Sequence, residues 1–276
     1  MFLVTVLKKV SWLGFILLLA PLFFGSSALA GENFFNSRPL AKEELVRLKG
    51  EGEKMVKSPV TEFLPATLAT LGVFGVTYIY DREIRSDLAA NRSDALHRAA
   101  DVGAFVGNPY LQLGGAAIVY TTGALADSPR LQRIGEELGE ALILADLSGF
   151  VLKSAVGRGR PRTGTDRGNF RPFSFKSEYD SLPSMHTASS FAVAHVLASE
   201  TESVPAKLLY YTAAGFVGFS RLYQEEHWAS DIILGAALGE LAGRAVTSFR
   251  AGEKGSVRLV PAVSQQGAAV ALQGTF

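Results

Sequence analysis

With 27 Lys and Arg against 26 Asp and Glu in 276 residues, the chain is close to neutral, which excludes the strongly basic surface that nucleic-acid binding needs. It has no cysteine, so disulfides, thiol nucleophiles and thiolate metal sites are excluded as well. Hydrophobic residues make up 48% of the sequence, enough for one sizeable core, and no repeat or low-complexity linker divides it.

Lys8 and Lys9 precede an apolar run at residues 12–24 and the small residues Ala28, Leu29 and Ala30, the pattern of an export signal at 1–30 cleaved before Gly31. A retained anchor is the alternative, but the apolar core is short for a span. The rest of the chain carries 25 basic and 26 acidic groups, because residues 1–30 hold two of the former and none of the latter. A bacterial periplasmic or envelope location is expected. Residues 31–60 form a polar segment in which 41–57 suit a surface helix that carries Leu45, Val46, Leu48 and Met55 and lies on the body.

From Phe63 onward, segments rich in Ala, Leu, Val and Gly follow one another, and the predicted helices are 61–80, 84–104, 109–126, 129–155, 184–199, 205–221 and 226–248. The fold class is therefore all-α, a bundle of six to seven helices over 61–250. Residues 157–182 are too polar for core and long for a loop, which marks them as functional or disordered. At 251–276, Val257, Leu259, Ala268, Val270, Leu272 and Phe276 recur at period two around a turn at 264–267, so a short β-hairpin is expected on the bundle. The uncharged stretches 63–80 and 102–126 are candidate membrane spans. Asp146, Lys207, Asp231, Glu240 and Arg244 interrupt the other helices, so a soluble or peripherally attached protein is expected rather than a multi-span one, with membrane contact left open.

Three clusters carry the chemistry. Lys153 and Arg160 stand in the first, Ser184, Met185 and His186 in the second, and Arg221, His227 and Asp231 in the third. Lys153, Arg160 and Arg221 supply three cations suited to a tetrahedral oxyanion. Ser184 and Met185 fall at a helix start after Pro183, where free amides and the helix dipole favour the same anion. His227 and Asp231 are four apart, so on one helix the carboxylate would accept the second imidazole N–H and leave the other nitrogen free to attack phosphorus. His186 is then available as general acid for the leaving alcohol.

These clusters match, in order and spacing, the three-part signature of the type 2 phosphatidic acid phosphatase and vanadium haloperoxidase superfamily, and the resemblance covers roughly 153–231. It implies that Lys153, Arg160 and Arg221 bind phosphate, that Ser184 and His186 bind it and protonate the leaving group, and that His227 is the nucleophile held by Asp231. Met185 departs from the pattern, since the family has glycine there, and its bulk is expected over the phosphate. A metal-independent phosphatase follows, acting on a lipid phosphate, a pyrophosphate or a small soluble ester through a phosphohistidine, with no cofactor and with vanadate as inhibitor. A vanadium haloperoxidase and a non-catalytic envelope scaffold are the alternatives.

Each cluster alone is weak. The run Arg158, Arg160, Arg162 would by itself be a solvated loop, and a His–Asp pair at four residues is often a surface contact. His97 reads as a solvated residue and His195 as a satisfied core or cleft-wall histidine. Glu225 and Glu226 flank His227 and would either tune it, repel polyanions or face water. No set of ligand-type residues near the clusters supplies a metal site.

Overall fold

The computed structural model describes the backbone of residues 38–253, 257–264 and 267–274, and the side chains of 45–250. The expected export signal at 1–30 lies outside the described residues. Eight α-helices make the body: α1 Arg38–Thr61, α2 Leu64–Ala90, α3 Asp94–Val106, α4 Pro109–Leu125, α5 Pro129–Val156, α6 Met185–Ser199, α7 Val204–Tyr223 and α8 Ala229–Glu253. Their starts follow from local chemistry. Ser93, Asn108, Ser128 and Ser203 each accept a first-turn amide on a side-chain oxygen, and proline stands in the first turn of α4, α5 and α7.

Two boundaries differ from expectation. The break expected between the helices at 61–80 and 84–104 falls instead at residues 91–93, because α2 runs on through Asp81, whose carboxylate is taken by Arg158 from across the bundle at 2.7 Å, and Ser93 caps α3. The uncharged stretch 102–126 is instead divided. Asn108 ends α3 and caps α4, accepting from the Tyr110 amide at 2.9 Å, so no continuous span exists there. Among the described residues, Ala229–Arg250 is long and apolar enough to cross a membrane, with mean hydropathy 1.3 over 22 residues. The stretches Leu45–Thr61 and Leu64–Ala90 pass that test only as a pair bent by 82°.

The body is all-helical. The hairpin expected at 251–276 falls where the side chains lie outside the described residues, and it is left an expectation.

That core is built from α4, α5, α6 and α8, where Ala116, Ala141, Ala145, Ala188, Ala192 and Ala242 alternate with Leu113, Leu142, Val196 and Val246. Small residues let the helix backbones approach, and the larger ones fill the remaining space at interior density. Along α8, Gly235 and Gly239 lie so close to α6 that an added Cβ would meet the carbonyl oxygens of Ser184 and Ala188 at 2.5 and 2.0 Å. This contact seats the start of α6 on the first turn of α8, and the Ser184 amide donates to the Asp231 carbonyl at 3.1 Å. Inside the bundle the interrupting charges are matched. Asp146 accepts from the Ser189 hydroxyl at 2.6 Å, and Glu240 holds His195 at 3.1 Å and Tyr211 at 2.8 Å. His195 is thus a satisfied packing residue.

Candidate active site

Packing brings the three clusters to one end of the bundle. Lys153 lies in the last turn of α5, Arg160 in the connection to α6, Ser184 at the N-cap of α6 with Met185 and His186 following, Arg221 in the last turn of α7, and Asp231 in the first turn of α8. His227 occupies the turn between α7 and α8, two residues before α8 begins.

His227 is the centre of the group. Its side chain is buried, and its Nδ1 lies 2.6 Å from the Ser181 carbonyl oxygen. A carbonyl can only accept, so Nδ1 carries the proton and Nε2 is left with its lone pair. Burial holds His227 well below the usual imidazole range, reinforced by the cations of Lys153, Arg160 and Arg221 and by His186. His186 is lowered for the same reasons, burial first and then Arg221, Lys153 and Arg160. Lys153 is pushed down to about 8, mainly by burial, against an opposing pull from Asp180.

The expected hydrogen bond between His227 and Asp231 is replaced. Asp231 Oδ2 stands 3.7 Å from Nδ1, outside hydrogen-bond range, because α8 starts at Ala229 and the two residues share no helical face. The carboxylate is engaged elsewhere: it accepts from Trp228 N at 2.9 Å, from the Ser181 hydroxyl at 2.5 Å and from Arg158 Nη1 at 2.5 Å. Asp231 therefore fixes both the turn that carries His227 and the segment whose carbonyl holds the imidazole.

Arg158 was the least legible member. Read as part of a solvated basic loop, it is in fact fully buried, with one fork on Asp231 and the other on Asp81 at 2.7 Å, and with Ser230 Oγ at 2.7 Å. Asp81 also accepts from the Ser230 amide at 2.9 Å and its hydroxyl at 2.6 Å. Asp81 stands in the charged stretch Asp81-Arg82-Glu83-Ile84-Arg85 between two expected helices, so nothing local marks it for a cation 77 residues away.

The phosphate-type cations are themselves held by acids. Arg160 Nε donates to Asp180 at 2.5 Å and its Nη1 to Glu226, while the Lys153 ammonium donates to the Asp180 carbonyl. Glu226 also accepts from Arg162 at 3.0 Å and lies 3.8 Å from Arg221. Glu225 is turned away from this cluster, bound by Arg85 at 3.1 Å and Arg92 at 2.9 Å. Ser184 makes no side-chain cap on α6 and accepts from the Thr187 hydroxyl at 2.9 Å. Met185 follows Ser184 on the first turn of α6. It is buried, with its Cγ packed where it would meet a Cβ on Gly149 of α5 at 3.2 Å, so its bulk belongs to the bundle interior. Among the described residues, no group of three or more His, Asp or Glu has the geometry to hold a metal ion.

Residues 137–254 match the model of the PAP2 superfamily, a stretch that contains all of the site residues named here except Asp81, Arg85 and Arg92 of α2 and its C-terminal turn. Among curated proteins, the chain is 35% identical over 108 residues to a lipid A 1-phosphatase of Porphyromonas gingivalis, covering 38% of this chain and 22% of that protein. It is 31% identical over 129 residues to a lipid A 1-phosphatase of Rhizobium johnstonii, covering 45% of this chain and 51% of that one. The chain thus spans about half or less of the length of these curated relatives. In fold, it is similar to a transmembrane PAP2-type phosphatidylglycerolphosphate phosphatase from Bacillus subtilis, with TM-score 0.50 and 18% identity over 67% of this chain and 96% of that one.

Proposed function

We propose that the chain, whose residues 137–254 match the PAP2 superfamily, is a metal-independent phosphatase for a lipid phosphate monoester or pyrophosphate, working at the bacterial envelope. The observation that carries this reading is His227, a buried imidazole with Nδ1 pinned by a carbonyl and Nε2 available among three cations. The lipid A activity named for both relatives favours a lipid phosphate over a soluble ester.

In the proposed reaction, the phosphoryl group enters between Lys153, Arg160 and Arg221, with the Ser184 hydroxyl and the first amides of α6 as further donors. The same burial and cationic field that lower His227 keep its Nε2 unprotonated, as a nucleophile requires. Nε2 attacks phosphorus, the P–O bond to the leaving group breaks, and the alkoxide takes a proton from His186. His186 is depressed at rest first by burial and then by Arg221, Lys153 and Arg160, and a bound phosphate dianion offsets the cationic part and favours the proton it must give. His186 then takes a proton from water, hydroxide attacks the phosphohistidine, and the P–N bond breaks. Imidazolium charge developing on His227 is stabilised by the Ser181 carbonyl and, at 3.7 Å, by Asp231.

The test is phosphate release by the purified full chain from phosphatidic acid, lipid A and an isoprenyl pyrophosphate in detergent micelles. Release from at least one, persisting in EDTA and blocked by vanadate, is expected, because vanadate mimics the trigonal-bipyramidal state. A folded protein that releases phosphate from none of them would instead favour an envelope scaffold.

A further inference from the structure

The segment 170–176, in the loop that carries Arg160 and Asp180, is unlike the rest of the catalytic end. Phe170, Phe173 and Phe175 are 41%, 66% and 75% exposed within six residues. Phe173 and Phe175 also have φ of 57° and 52°, the left-handed region that bulky side chains rarely adopt. Exposed aromatic surface and left-handed backbone both work against folding stability, and neither is recovered by contacts inside the bundle. The backbone is nevertheless held: the Phe173 amide donates to Ser154 O at 2.7 Å and Arg158 bridges to Phe170. The strain is therefore built in, and it presents two phenyl rings outward.

The surroundings say what covers them. In residues 157–182 Arg158 is buried and Arg160 and Arg162 are held by acids, while Arg171 and Lys176, on either side of the two rings, are exposed, a cationic flank that suits an anionic surface. The loop is tied to α2 by Arg167, which donates to the Tyr78 carbonyl at 2.8 Å, and by Arg82, which pairs with Asp166. From that junction an apolar flank continues down α2, where Val73, Val76, Ile79 and Tyr80 are 51–58% exposed. Apolar tips, the two cations beside them and a continuous apolar flank together match the boundary between headgroups and acyl chains of a lipid leaflet.

We propose that residues 170–176 are the docking edge of the catalytic face, with Phe173 and Phe175 inserted among the acyl chains of an anionic leaflet. This sets the phosphate-binding cations at headgroup height, so that a lipid phosphate reaches His227 without leaving the membrane. The inference rests on the lipid-phosphate reading above.

Two measurements on the full chain decide it. In the first, Phe175→Trp is placed in vesicles of phosphatidylcholine and phosphatidylglycerol, and its emission is expected to shift blue and to be quenched by brominated acyl chains. In the second, Phe173→Asn with Phe175→Asn, which suits left-handed backbone and preserves the fold, is expected to lose about tenfold or more in turnover of a lipid phosphate in vesicles. Turnover of nitrophenyl phosphate should stay within about twofold. Absence of bromine quenching, an emission shift that follows protein concentration without lipid, or equal losses on both substrates would each overturn the proposal. Quenching is read without turnover, so failure of docking and failure of the phosphatase reading are separate results.

Discussion

Replacing Arg158 by leucine removes one cation from between two carboxylates that have no exposed side-chain surface, Asp81 and Asp231. Breaking a buried ion pair by deleting one partner destabilises by about 3–5 kcal/mol, because the remaining charge is left without compensation. Here two charges remain, but each keeps other donors: Asp81 has the amide and hydroxyl of Ser230, and Asp231 has Trp228 N and the Ser181 hydroxyl. The expected loss therefore lies within that range, equivalent to roughly 6–20 °C in Tm for a domain of this size. Arg158→Lys should recover little, since an ammonium cannot serve two carboxylates with a planar fork. Asp81→Asn alone should be milder, because Asp231 still balances the guanidinium. Denaturant titrations of the two single variants and the double variant close a cycle, and the coupling should be about 1–3 kcal/mol. Arg158→Leu within about 1 kcal/mol of wild type, or strict additivity in the cycle, would refute the buried clamp.

Lys153 should set the alkaline limb of kcat/KM. Its ammonium is lost as pH rises through about 8, so activity falls there, and Lys153→Arg should remove that limb; an unchanged limb in the variant would reassign it. Met185→Gly should cost about 2–5 kcal/mol by opening a cavity against Gly149, with kcat/KM for small and bulky esters altered in equal proportion; unchanged stability with a selective gain for bulky esters would return Met185 to the phosphate pocket. Glu226 sits on Arg160 and Arg162 and near Arg221, so substrate and product phosphate must displace it. Glu226→Gln should tighten inhibition by inorganic phosphate by about fivefold, the worth of a partly exposed pair. Inhibition no tighter than wild type would show that Glu226 does not compete for those arginines.

The legible parts of this chain were those written locally. The helices expected from 109 and 129 begin there, where Asn108 and Ser128 cap α4 and α5 ahead of Pro109 and Pro129. The three motif clusters were legible as types and spacings, and packing gathers Lys153, Arg160, Arg221 and His186 around His227. What was not legible depended on partners distant in sequence. The continuity of α2 through Asp81 needs Arg158, 77 residues away, and the placement of His227 needs the carbonyl of Ser181, 46 residues away. The four-residue spacing of His227 and Asp231 misled because period arguments assume a helix, and α8 begins between them. The packing of Met185 against Gly149 of α5 was not legible, because sequence marks bulk without direction.

The central claim is that His227 Nε2 becomes covalently bonded to phosphorus. The direct measurement is rapid quenching of the full chain in alkali, where phosphohistidine survives, during turnover of a radiolabelled lipid phosphate, followed by peptide mapping. The account predicts label on the peptide containing His227, none in His227→Ala, and greater accumulation in His186→Ala with an activated ester, since hydrolysis of the intermediate then lacks its base. Turnover without protein-bound phosphate at any quench time, or label retained in His227→Ala, would contradict it.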